Sequence, residues 1–138
     1  MSTGTAPTDL SPVHIRVPFA ASSVAVARLR LKQWMTDNGC SREHIEDGRM
    51  IVSELVANAV RHARPLPDGN ILVTWQVENL ELEVAVTDGG GRTLPRKGNA
   101  PSSALAGRGM AIVETLSLSW KAERTRSEST VRARLSMV

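Results

Sequence analysis

Between Arg42 and Thr87 the spacing of apolar residues changes period, and that change constrains the fold more than any other feature of the chain. Ile45, Val52, Leu55, Val56, Ala59 and Val60 recur at helical spacing, giving one apolar face to a helix from about Arg42 to Ala63. Pro65 and Pro67 stop it, because the residue before a proline is pushed out of the helical region. Ile71–Val77 and Leu80–Thr87 then alternate with period two, separated only by Glu78-Asn79, which is the pattern of a hairpin.

The flanks extend the pattern. His14–Phe19 alternates, with Ile15, Val17 and Phe19 on one side, and reads as a short strand. Ala20–Asn38 carries Val24, Ala27, Leu31, Trp34 and Met35 at helical spacing, with Asn38-Gly39 as its stop. The pairs Val24/Val26 and Leu29/Leu31 also alternate, but Arg28, Arg30, Lys32 and Gln33 occupy the remaining face and favour helix. Ser41 is an N-cap candidate for the second helix, although Ser-x-x-His is not a full capping box. Asp68-Gly69-Asn70 is a turn. Downstream, Asp88–Ala106 shows no period, Gly107–Leu116 reads as a short helix, and Leu118–Glu123 with Thr130–Met137 as a final hairpin. The order β, α, α, β, β, loop, α, β, β places strand pairs between helices. It predicts an α+β two-layer sandwich and not a parallel Rossmann sheet. Residues 1–12, rich in Ser, Thr and Pro, read as a disordered arm ahead of a single domain over 13–138.

Composition removes several classes of function. At 138 residues the chain can bury an ordinary core, and its one cysteine, Cys40, excludes an internal disulfide and a cysteine-based zinc site. Three Trp, one Phe and no Tyr argue against a single-strand nucleic-acid binder that relies on ring stacking. Net charge is +3 with both signs interspersed, so no basic run tracks a phosphate backbone and no direct nucleic-acid contact is expected. Fourteen of the 17 basic residues are Arg, a bias that genome composition produces as readily as function does. The start lacks a signal-peptide pattern and no apolar run is long enough to span a membrane, so the expected location is the cytoplasm.

Three features carry chemistry. Glu54, Asn58 and His62 stand at i, i+4 and i+8 among Leu55, Val56, Ala57, Ala59 and Val60, and so share one helix face. A carboxylate and a carboxamide one turn apart suit proton acceptance and an oxygen-seeking divalent ion; spacing alone fits the solvated stripe of an amphipathic helix better. Asp88-Gly89-Gly90-Gly91 ends a strand, where missing Cβ atoms would admit a flat ligand and the Asp could accept from an amino group; taken alone it is a turn. Gly107-Arg108-Gly109-Met110 opens a helix, whose backbone N–H groups form an anion site, with Arg108 suited to a terminal phosphate. Alone, it is an ordinary glycine-rich helix entry. Neither a Walker loop nor a Gly-x-Gly-x-x-Gly fingerprint is present, since position 112 is Ile. Six of the ten glycines fall between Gly89 and Gly109, within these last two features and the stretch between them.

In this order and together, the three resemble the boxes of the GHKL superfamily. Glu54 to Ala63 is similar to its N-box, Asp88-Gly89-Gly90 to its first glycine box, and Gly107 to Val113 to its second. Within that superfamily the chain resembles the bacterial anti-sigma factor serine kinases over residues 13–137. The resemblance implies the Bergerat fold, a mostly antiparallel sheet backed by helices with a lid over ATP. It implies that Asn58 ligates Mg2+ and that Glu54 is general base toward a partner's serine. Asp88 would bind the adenine amine and Gly90 would line the adenine. Gly107, Arg108, Gly109 and Met110 would hold phosphates, with Arg108 also catalytic. Thr130 would supply the hydroxyl near the adenine-binding Asp. Implied partners are a sigma factor and a STAS-domain anti-anti-sigma protein, with a homodimer among the assemblies of the group. Arg92 stands where a family glycine is usual, and Ser129-Thr130 replaces Gly-Thr. These departures motivate the alternative of a nucleotide-dependent protein-binding switch with little or no kinase activity.

Overall fold

A period-two run beside a period-3.6 run buries both apolar faces only by stacking, and the computed structural model, which describes residues 10–91 and 110–137, does this. Its elements are β1 (Val13–Pro18), α1 (Ser23–Asp37), α2 (Arg42–His62), β2 (Asn70–Glu78), β3 (Glu81–Asp88), α3 (Met110–Leu116), β4 (Ser119–Arg124) and β5 (Ser129–Ser136). The five strands form one antiparallel sheet in the order β1-β2-β3-β5-β4. The described helices pack on one of its faces, with α2 against β2, β3 and β5, α1 beside β1 and α3 beside β4. The expected two-layer α+β sandwich is therefore present.

The inward residues of the strands include Ile15, Val17, Ile71, Val73, Trp75, Leu82, Val84, Val86, Ala133 and Leu135, all buried. They meet Ile51, Val52, Leu55, Val56 and Ala59 of α2. In α1 the buried set is Ser23, Ala27, Leu31 and Met35, spaced by four, while Val26 and Leu29 are exposed. Helical period thus wins over the alternation in that segment. Gly48 lets the two long helices close up, since a Cβ there would sit 2.7 Å from Met35 Sδ. Ser41 caps α2, accepting from the His44 amide at 3.2 Å, and His44 Nδ1 lies 2.8 Å from the same hydroxyl.

Each strand limit differs by one residue from expectation: β1, β3, β4 and β5 are shifted by one, and β2 is longer by one at each end. The first hairpin turns at Asn79-Leu80 and not at Glu78-Asn79, because Glu78 still pairs with Glu81. Both turn residues have positive φ, 55° and 62°, as a two-residue turn matched to sheet twist requires. Trp75 is a core residue, while Trp34, Trp120 and Cys40 are partly buried against the core. Burial raises the Cys40 thiol pKa. The outer sheet face carries a mesh of ion pairs: Arg134 reaches Glu78, Glu81 and Glu83, and Arg132 reaches Glu123 and Glu83.

Candidate functional site

Three pieces of chain meet at one end of the sheet. The first is α2, which presents Glu54, Asn58 and His62 along one side; Glu54 and Asn58 are half-buried and His62 is exposed in the last turn. Asn58 Oδ1 is buried and has no hydrogen-bond partner among the described residues. A buried acceptor left unpaired costs about 1–3 kcal/mol, a cost that a ligand supplying the partner would remove. Asn38 Oδ1, Arg49 Nε and Trp75 Nε1 are also unpaired among the described residues, but of the four only Asn58 lies one turn from Glu54. A neutral amide oxygen held this way suits a hard divalent cation such as Mg2+, whose other positions phosphate oxygens and water can fill.

The second piece is the end of β3. Asp88 is 7% exposed, and its only described partner is the Gly90 amide, which donates to Oδ1 at 2.7 Å. Loss of solvent raises its pKa from 3.8 to about 6, with the Gly90 hydrogen bond pulling the other way. At neutral pH Asp88 is a carboxylate with acceptor capacity to spare.

The glycines after Asp88 do different work from one another. A Cβ on Gly89 would overlap the Pro65 carbonyl oxygen, and one on Gly91 would lie 2.5 Å from the His62 carbonyl oxygen. Gly89 donates to the Arg64 carbonyl at 2.8 Å, and the Arg64 amide donates to the Gly90 carbonyl at 2.9 Å. These two glycines therefore admit the backbone that leaves α2, and not a ligand. Gly90 alone faces open space, and its φ of +88° favours glycine independently.

The third piece is the neighbouring strand end. Register pairs Asp88 with Ser129 and Thr87 with Thr130, and paired residues of an antiparallel ladder share a face. Ser129, 4% exposed, is thus on the helix side with Asp88. Thr130 points to the outer face, where its hydroxyl lies 2.8 Å from that of Thr87. The expected Thr130 contact near Asp88 is replaced by Ser129, because a shift of one residue reverses the side of a strand. The extent of alternation over 129–136 was the signal that could have shown it.

Met110 opens α3 with its side chain 1% exposed and in the core, so the phosphate role expected of it falls to its backbone amide and not to its side chain. Gly107, Arg108 and Gly109, with the lid expected before them, lie outside the described residues. Among the described residues no cluster of three or more His, Cys, Asp or Glu side chains could hold a metal, which leaves Asn58 as the metal-facing candidate. No described helix is long and apolar enough to cross a membrane.

A family model described as a histidine kinase-like ATPase domain matches residues 17–135. A stretch of 79 residues is 35% identical to the serine-protein kinase RsbW of Listeria innocua, covering 56% of this chain and 50% of that protein. A stretch of 80 residues is 31% identical to the serine-protein kinase RsbW of Staphylococcus epidermidis, again over 56% and 50%. The chain spans about half the length of the curated relatives it matches. A solved structure of the RsbU and RsbW domains of a Mycobacterium tuberculosis protein superposes with a TM-score of 0.71 at 21% identity, over 91% of this chain and 32% of that one. The two share a fold.

Proposed function

The chain belongs to the histidine kinase-like ATPase domain family, and we propose that it binds Mg-ATP and phosphorylates a serine of a protein partner, as an anti-sigma factor kinase. The observation that carries the reading is the unpaired, buried Oδ1 of Asn58, on the same helix face as Glu54. An amide oxygen held without a partner one turn from a carboxylate fits a site finished by a cation and its phosphates.

In this reading the Asp88 carboxylate accepts a hydrogen bond from the adenine amine, Ser129 supplies the adjacent hydroxyl, and Gly90 leaves the face beside them open. Asn58 offers its Oδ1 to Mg2+. When bound, Mg2+ would offset negative charge on the transferring phosphate. Gly107, Arg108 and Gly109 complete the phosphate side. Glu54 accepts the proton of the partner's serine hydroxyl as that oxygen bonds to the γ-phosphorus and the bond to the bridging oxygen of ADP breaks. Positioning and charge neutralisation do most of the work in such transfers. The proposed partners are a sigma factor, which the protein sequesters, and a STAS-domain anti-anti-sigma protein, which it phosphorylates. The proposed setting is transcriptional control in the bacterial cytoplasm.

The test is incubation with Mg-ATP and STAS-domain proteins of the source organism. Wild type yields phosphoserine and Glu54→Ala does not, while Asn58→Ala weakens ATP binding in the presence of Mg2+ far more than in its absence. ATP binding without transfer to any partner would replace the kinase with a nucleotide-dependent switch. Absence of ATP binding would remove both.

A further inference from the structure

On α2, Met50, Glu54, Ala57 and Arg61 follow one another at spacings of four, three and four, so they form one continuous stripe. Asn58 lies on the core-ward flank of this stripe, next to Glu54, and the rest of the stripe lies on the solvent flank. Met50 is 45% exposed, one of several large apolar side chains left open to solvent. Ala57 between them is small and half-buried. Arg61 is exposed and has no hydrogen-bond or ion-pair partner among the described residues. Its neighbours one turn away are Ala57, Asn58 and Arg64, none of them acidic. Arg49 of the same helix, by contrast, is held by Glu46 at 2.8 Å.

We propose that this stripe is where the protein substrate docks, with Arg61 reading an acidic group beside the phosphoacceptor serine and Met50 covering an apolar contact on the other side of Glu54. The inference rests on the kinase reading above and adds to it a surface and a partner chemistry. The physical case is one of position and charge. A hydroxyl must reach Glu54 from the solvent flank, because the other flank leads to Asn58 and the core. Whatever brings it there must cover Met50 and meet an uncompensated guanidinium. A partner with a carboxylate next to its serine satisfies both, and a basic one is repelled. Arg61 touches no reacting atom in this arrangement and acts through docking.

The experiment is steady-state phosphorylation of the STAS-domain protein that wild type accepts, with ATP affinity measured separately. Arg61→Ala is expected to raise KM for the protein by about three- to tenfold, the size set by one exposed interfacial charge, at unchanged kcat and unchanged ATP affinity. Arg61→Glu raises it further, Arg61→Lys recovers most of the loss, and Arg42→Ala, at the far end of the helix, changes nothing. Raising ionic strength weakens the wild type and flattens the difference from Arg61→Ala, whereas the rise in KM caused by Met50→Ala is insensitive to salt. An Arg61→Ala protein with wild-type KM, or one whose loss lies in ATP affinity, overturns the docking role and leaves the kinase standing. No transfer by wild type overturns both.

Discussion

Asp88 holds a buried carboxylate whose only described partner is a backbone amide, and replacing it with Asn is expected to stabilise the free protein while destroying nucleotide binding. Asn keeps the shape and an oxygen for the Gly90 amide, now 2.7 Å from Oδ1, and removes only the charge. The folded-state pKa is about 6 against 3.8 for the free side chain. Below about pH 3 both folded and unfolded chains carry the proton, so the group contributes nothing to the pH dependence. As pH rises from about 3 to 6 the unfolded chain releases its proton first, and stability falls until the folded carboxyl ionises as well. A gap of roughly two pKa units corresponds to about 3 kcal/mol. Solvent reaching the open side of the site reduces this to about 1–2 kcal/mol. For a domain of this size that is a rise of about 3–8 °C in Tm at pH 8. The assay is thermal melting of both proteins without nucleotide at about pH 3 and about pH 8, with ATP titration of each at the higher pH. The two should melt together in acid, Asp88→Asn should melt higher at pH 8, and ATP binding should be lost. A variant that melts lower at pH 8, or gains equally at both pH values, would refute the buried-charge account.

Other outcomes follow from the same geometry. Ser129→Ala should weaken ATP binding with little change in melting, whereas Thr130→Val should leave ATP binding intact and cost about 0.5–1.5 kcal/mol of stability by breaking the Thr87 hydroxyl pair; isothermal titration and urea unfolding separate the two. Gly89→Ala forces a methyl group onto the Pro65 carbonyl oxygen and should cost about 1–3 kcal/mol or more in urea unfolding. Leu80→Gly relieves a leucine held at φ 62° and 63% exposed, and should gain about 0.5–1 kcal/mol in the same assay.

Much of the fold could be read from period alone, because each element buries one regular face: Leu55 and Ala59 in α2, Val84 and Val86 in β3. What period could not give was the last residue of phase. Glu78 alternates as well inside the strand as outside it, so only its pairing with Glu81 shows where the hairpin turns. The resemblance pointed to Thr130 as the hydroxyl near Asp88, whereas the register places Ser129 opposite Asp88, and one residue exchanges the two faces of the sheet. Asp88, Glu54 and Asn58 were legible as polar groups interrupting apolar patterns. The separate tasks of Gly89, Gly90 and Gly91 were not, because the backbone of residues 62–65 that presses on two of them is distant in sequence and invisible to local patterning.

That pressed contact has a mechanical consequence. Two main-chain hydrogen bonds and two glycines without room for a methyl group clamp the exit of α2 to the end of β3. The residue that would meet the adenine and the residue that would meet the metal therefore ride on a single jaw of fixed gauge. Nucleotide arrival does not have to bring them together, and nucleotide departure cannot be driven by spreading them apart. A label pair on Asn58's helix and Asp88's strand should therefore report the same separation with and without nucleotide.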